Sequence, residues 1–204
     1  MLQKRVIPCL LLHKGGLYKT EKFKKPTYIG DPINAIKIFN EKEVDELIFL
    51  DIGASVENKE PNYRMIEDIA SECFMPLCYG GGVKTIEQMK NIYAIGVEKI
   101  SISSQAVINP SLLIEASNMF GNQSVVVTID IKKDFWGEKK VFINSGKKNT
   151  KLNPMDFIKQ IETLGAGEIV INSVDNDGVM RGYDVKLLRD IKAITKIPII
   201  ALGG

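Results

Sequence analysis

The sequence predicts an α/β chain that forms most of a single (β/α)8 TIM barrel across residues 1–204. Three observations predict it. Short apolar runs alternate with longer amphipathic segments. The runs are continuous in polarity, as strands buried on both faces should be. The second half of the chain repeats the first.

Seven runs read as strands: 6–12, 47–51, 75–79, 99–103, 124–130, 168–172 and 197–202. Helical patterns lie between them. Asp31 opens one, with Pro32 in its first turn and apolar Ile33, Ile36 and Phe39 on one face. Asn109-Pro110 and Asn153-Pro154 open two more, and Thr85 with Glu87 and Asp184 with Leu187 mark further starts. Strands separated by helices imply a parallel sheet, either open or closed.

The repeat selects the closed form. Leu47-Ile-Phe-Leu-Asp51 resembles Glu168-Ile-Val-Ile-Asn172. Met75-Pro-Leu-Cys-Tyr-Gly-Gly-Gly82 resembles Ile197-Pro-Ile-Ile-Ala-Leu-Gly-Gly204, at an offset of about 121 positions. Near that offset Leu11, ending the first strand, matches Asp130, ending the fifth. Two homologous half-barrels of four strands close a barrel of eight. The eighth strand and its helix fall beyond Gly204, so the expected domain is a barrel truncated after strand seven or completed by another chain.

Bulk composition narrows the function classes. A net charge of +2 argues against a nucleic-acid or membrane-surface partner. The lysine-dense stretch from Lys14 to Lys25 reads as a solvated loop. Cys9, Cys73 and Cys78 sit in apolar runs, as reduced buried thiols do. No signal peptide or membrane span is legible, and a cytoplasmic location is expected. His13 is the only histidine, which leaves no histidine-rich metal site.

Barrel chemistry gathers at the C-terminal ends of strands. Gly80-Gly81-Gly82 follows the third strand and precedes a helix, where glycine backbone and helix N–H groups can bind an anion. Ser103 and Ser104, after strand four, can add hydroxyls. Asp177-Gly178 after strand six and Gly203-Gly204 after strand seven form a second such set, and two phosphate sites suit an elongated, doubly phosphorylated substrate. The other reading of these glycines is tight turns. Asp130 ends strand five and is a candidate general acid or base, or else a loop-orienting carboxylate. Asp51, ending strand two, is a second-rank candidate with an equally good structural reading.

Arg5-Val-Ile-Pro-Cys-Leu10, Asp45-Glu-Leu-Ile-Phe-Leu-Asp-Ile-Gly-Ala-Ser55, Tyr79-Gly-Gly-Gly82, Ser145-Gly-Lys-Lys-Asn-Thr150, Gly165-Ala-Gly-Glu168, Asp175-Asn-Asp-Gly178 and Gly182-Tyr-Asp184 together resemble the cyclase subunit of imidazole glycerol phosphate synthase, from Met1 to Gly204. The resemblance implies a barrel that docks a glutaminase subunit at its bottom face as a heterodimer. It implies that ammonia passes through the barrel to a phosphoribosyl substrate at the top. It also implies that Arg5, Glu46, Lys99 and Glu168 form a charged gate at the tunnel entrance, each being at the start of an apolar strand. Four unrelated surface charges are the alternative. Lys19, in the loop after the first strand, carries over as a substrate-side residue. No metal or organic cofactor is implied.

One position departs from that pattern. The family uses two aspartates as acid and base, at the ends of strands one and five. Asp130 matches the second, but Leu11 occupies the first. A leucine transfers no proton, and general acid–base groups contribute roughly 10²- to 10⁴-fold. The run Val6-Ile-Pro-Cys-Leu-Leu-Leu-His-Lys-Gly-Gly-Leu-Tyr-Lys-Thr20 is similar to a branch linked to acetamidino groups on bacterial surface-polysaccharide sugars, where the barrel supplies ammonia to a sugar amidotransferase. Three readings follow. The chain is an ammonia-channelling synthase-like subunit for such a sugar, a histidine-pathway cyclase despite Leu11, or a non-catalytic partner that only binds and activates a glutaminase.

Overall fold

The computed structural model describes residues 4–54 and 56–204, so Ser55, the last residue of one quoted motif, lies outside it along with Met1–Gln3. The fold is of the (β/α)8 barrel class. The chain divides into two compact units, one made of residues 4–19 and 27–101, the other of 20–26 and 102–204.

The first unit carries β1 (Cys9–His13), most of β2 (Gly16–Glu21) and β3 (Lys24–Gly30), then α1 (Pro32–Glu41), β4 (Leu47–Asp51), α2 (Tyr63–Glu72), β5 (Leu77–Gly80), α3 (Ile86–Ala94) and the start of β6 (Lys99–Ile102). Strands β1, β4, β5 and β6 are parallel neighbours in that order. The second unit contains α4 (Ser104–Ile108), α5 (Ser111–Phe120), β7 (Val125–Lys133), β8 (Lys139–Ile143), β9 (Lys148–Asn149), α6 (Pro154–Thr163), β10 (Glu168–Ser173), α7 (Val185–Lys192) and β11 (Ile199–Leu202). Strand β10 lies between β7 and β11, all parallel. The barrel strands among the described residues are therefore β1, β4, β5, β6, β7, β10 and β11.

Helix starts follow the sequence signals. Asp31 accepts the Asn34 N–H at 3.0 Å with Pro32 behind it, and Asn153 accepts the Met155 N–H at 2.8 Å with Pro154 behind it. Each removes an orphan donor of the first turn. Thr85 makes a full capping box, but its partner is Gln88 rather than Glu87. Asp184 caps the Leu187 N–H at 3.0 Å. At Asn109-Pro110 the helix begins one residue later, and Asn109 makes no side-chain cap to it. Asn62, which caps α2 through the Met65 N–H, was not anticipated.

Several strand ends shift. Pro8, Pro76 and Pro198 donate no ladder N–H, so strands begin just after them, at Cys9, Leu77 and Ile199. Strand β7 runs three residues past Asp130 into a ribbon. The Lys14–Lys25 stretch is no loop. It forms β2 and part of β3, an antiparallel ribbon after β1 with Leu11 opposite Tyr18 and Leu12 opposite Leu17. Its lysines are solvated as expected, while Leu17 is buried. The other half has a matching ribbon, β8 and β9, after β7.

The core lies between each sheet and its helices. In register, Phe49 faces with Tyr79 and Ile100, and Val127 with Ile169 and Ile199. Phe49, Ile100, Ile36, Ile66, Ile69, Met89 and Ile92 are almost wholly buried in the first unit, as are Val127, Ile129, Ile158, Ile161, Ile169 and Ile191 in the second. Each such side chain is worth roughly 1.5–3 kcal/mol of transfer free energy. This packing fixes which residues of each strand face the other way.

Candidate active site

Residues paired across parallel strands share a face. In the second unit the face away from the helices carries the rows Thr128–Val170–Ile200 and, at the strand ends, Asp130–Asn172–Leu202. Asp130 and Asn172 are 7% and 4% exposed. The Asn172 amide donates Nδ2–H to Asp130 Oδ1 at 3.4 Å. Burial pushes the Asp130 carboxyl up to about 7, against the Asn172 hydrogen bond and with help from the Asp177 charge. That suits a group that both takes and gives a proton near neutral pH.

Asp177 lies in the turn after β10. Burial raises its carboxyl too, although the Thr20 hydroxyl at 3.3 Å and the Phe23 backbone N–H both donate to it. The Lys22 N–H donates to the Asp177 carbonyl at 2.9 Å, so this turn holds the tip of the first ribbon. Asp177, Gly178, Gly182, Tyr183, Leu202, Gly203 and Gly204 line a cavity of about 320 Å³. Two of the glycines are required there. Gly178 has φ +69 and a Cβ on it would come 2.0 Å from the Thr20 carbonyl oxygen; Gly203 has φ +84 and its Cβ would come 2.7 Å from the Ser173 carbonyl oxygen. Backbone without side chains beside a cavity is what close approach of a phosphate needs.

In the first unit the corresponding face carries the rows Cys9–Ile48–Cys78–Lys99 and Leu11–Leu50–Gly80–Ser101. At its strand starts, Glu46 is buried and binds two cations: Arg5 at 2.8 Å, and Lys99 through both carboxylate oxygens, at 2.8 and 3.0 Å. Neighbouring Asp45 accepts the Val6 N–H at 2.6 Å, which pins the segment bearing Arg5. Glu168 is buried at the first position of β10, in the other unit. At the strand ends Leu11 is half-buried and its row offers no carboxylate.

A sequence model described as histidine biosynthesis protein matches residues 5–204. A Pseudomonas aeruginosa protein named "Putative imidazole glycerol phosphate synthase subunit hisF2" is 53% identical over all of this chain and 81% of its own length. The chain belongs to the HisF family. A Leptospira interrogans relative named "Putative imidazole glycerol phosphate synthase subunit HisF" is 52% identical over the same shares. The imidazole glycerol phosphate synthase subunit HisF of Natranaerobius thermophilus is 42% identical, again over 100% of this chain and 81% of the relative.

The other candidates of this HisF-family chain are placed as follows. Asp51 Oδ1 accepts the N–H groups of Gly53 and Ala54 at 2.9 and 3.0 Å, organising the turn after β4. Its register partner is Leu12, on the opposite face from Leu11. Gly81 and Gly82 pack on that turn: a Cβ would meet Asp51 at 2.6 Å and the Lys59 carbonyl oxygen at 2.8 Å. The α3 N-terminus beyond them is occupied by its own capping box. Ser104 accepts the Asn144 N–H at 3.0 Å, holding the second ribbon, and Ser103 makes no cap bond to α4. Lys19 is exposed on β2. The glycines and Asp177 of the second unit thus share one cavity wall, while Gly81 and Gly82 serve a tight packing contact. Asn172, Thr20 and Tyr183 were missed. Among the described residues no three His, Cys, Asp or Glu side chains gather as a metal ion requires, and no helix is long and apolar enough to cross a membrane.

Proposed function

We propose that this HisF-family chain is the barrel subunit of a glutamine amidotransferase, taking ammonia from a docked glutaminase subunit and delivering it toward a phosphate-bearing substrate at the strand ends. The observation that carries the reading is the Arg5–Glu46–Lys99 cluster at the strand starts. A charged cluster built around one buried carboxylate is costly to desolvate, and a bottom face built only for stability needs none. Glu168 joins the set through the family resemblance. Cys9, Ile48 and Cys78, which share a row with Lys99, are uncharged, as a passage for ammonia requires. The phosphate reading rests on the cavity at Gly178, Gly203 and Gly204, with Lys19 as a further substrate-side cation.

Leu11 directs the reading to ammonia supply for an acetamidino group on a surface sugar, in company with a sugar amidotransferase. Two levels of identity support a separate branch: 53% and 52% to the "Putative" relatives above, against 42% and 38% to the imidazole glycerol phosphate synthase HisF subunits of Natranaerobius thermophilus and Streptococcus sanguinis. A specific observation favours the second reading, the cyclase itself: Asp130 is buried with its carboxyl raised to about 7, in the same row as Leu202, which lines the cavity. Glutamine hydrolysis by an added glutaminase subunit tests the docking, which all readings share. Stimulation that Lys99→Ala weakens supports the gate; a complex that forms and passes no ammonia through the barrel leaves only the partner that binds and activates the glutaminase.

A further inference from the structure

The Asn172 carboxamide is arranged for only one charge state of its neighbour. Its N–H meets Asp130, yet its Oδ1 is buried without a hydrogen-bond partner. An orphaned buried acceptor is costly, because it has lost its water and gained no donor. That oxygen lies over the bare face of Gly203, 3.0 Å from where a Cβ would stand, and the Ser173 carbonyl oxygen lies 2.7 Å from the same point. Two acceptors therefore border one place, with the Ser173 backbone nitrogen 3.1 Å from it, and the Asn172 oxygen takes no hydrogen bond there. An amide N–H turned to that place would meet the Ser173 carbonyl, which uses one lone pair on the Asn176 N–H. The turned amide would offer its oxygen to Asp130, and only a protonated Asp130 can donate to it.

We propose that Asn172 is a positioning residue whose carboxamide turns over with the charge of Asp130: it donates its N–H to the carboxylate, and when Asp130 holds a proton its Oδ1 accepts a hydrogen bond from the carboxyl O–H while its N–H turns to the Ser173 carbonyl. Each arrangement satisfies a group that the other leaves bare. Asp130 can then give up and regain its proton with a matched partner in both states. The groups packed around Asp130 in its unit are few. Strand β8 presents the Phe142 ring opposite it, β10 presents Asn172, and the turn after β10 presents Asp177, the charge that bears on it. Lys132, next but one on β7, is drawn over the Phe142 ring at 5.3 Å. The ordinary desolvation of a buried carboxyl brings both states within reach near neutral pH.

The proposal rests on Asp130 as the proton-handling group of the reading above, but its test needs no substrate, so either can fail alone. The labelled full chain is followed by NMR between about pH 5 and about pH 9. Asp130 is read by its carboxyl carbon, and the Asn172 amide by its contacts. As Asp130 gains its proton, contacts from the Asn172 amide hydrogens to the Gly203 α-hydrogens should appear, with the same midpoint. In Asp130→Asn the amide contacts should no longer change with pH. Amide contacts that stay constant while Asp130 titrates would overturn the proposal. So would an Asp130 that stays ionised throughout, or a pH-dependent turn that persists in Asp130→Asn.

Discussion

Glu46 holds the Lys99 ammonium with both carboxylate oxygens, at 2.8 and 3.0 Å, while its own side chain is only 3% exposed. Lys99 is more exposed, and Arg5, on the other side of Glu46, is at 36%. The asymmetry ranks the members. Removing the buried anion takes a shared carboxylate from two cations, and breaking a buried ion pair costs roughly 3–5 kcal/mol. Removing half-exposed Arg5 should cost about 1 kcal/mol or less. Urea unfolding of Glu46→Ala and Arg5→Ala measures both. Lys99→Ala should fold, and its loss should register chiefly in glutaminase coupling.

Asp130 makes stability depend on pH. Its carboxyl is raised from an ordinary 3.8 to about 7. Between those values the folded chain keeps a proton that the unfolded chain has released. The stabilisation is therefore full below about pH 4 and is lost as pH rises through 7. The span corresponds to about 4 kcal/mol as an upper bound. Asp130→Asn should accordingly gain roughly 2–4 kcal/mol over wild type at pH 8 and little at pH 4, measured by denaturant midpoints at the two pH values.

Glycines with positive φ separate into two kinds. A Cβ at Gly178 meets backbone at 2.0 Å, whereas at Gly137, φ +82, it meets nothing within 4 Å. Gly137→Ala should cost only the backbone strain, about 1 kcal/mol. Gly178→Ala must also push the Thr20 segment away. It should cost at least about 2 kcal/mol more and weaken inorganic phosphate binding, as calorimetry with that ion would report.

Much of the fold could be read from the chain because the strands are buried on both faces and the helices announce their caps. What could not be read has physical causes. The lysine-rich ribbon after β1 buries only Gly16, Leu17 and Thr20 among its described residues and otherwise turns charge to water, so it looks like a loop. The repeat hides a subtler slip. Sequence similarity aligns Asp51 with Asn172, but the caps Asp31 and Asn153, Asn62 and Asp184, and the glycines Gly81 and Gly203 all match one position further along. A one-residue slip in a strand reverses the face. Asp51 therefore corresponds to Ser173 and organises a turn, while Asn172 shares the row of Asp130. Asn172 was legible as part of the repeat, but its amide contact depends on that register.

On the proposed reading this HisF-family chain delivers ammonia but does not itself close the ring, because Leu11 stands where an acid–base carboxylate is needed. The most direct measurement is ammonia-dependent turnover of the family's phosphoribosyl substrate by the folded chain, followed by absorbance with the product identified by mass, for wild type and Leu11→Asp. The account predicts no turnover for wild type and turnover at least about 10²-fold higher in Leu11→Asp. Turnover by wild type, unchanged in Leu11→Asp, would contradict it and make the chain a cyclase that works through Asp130.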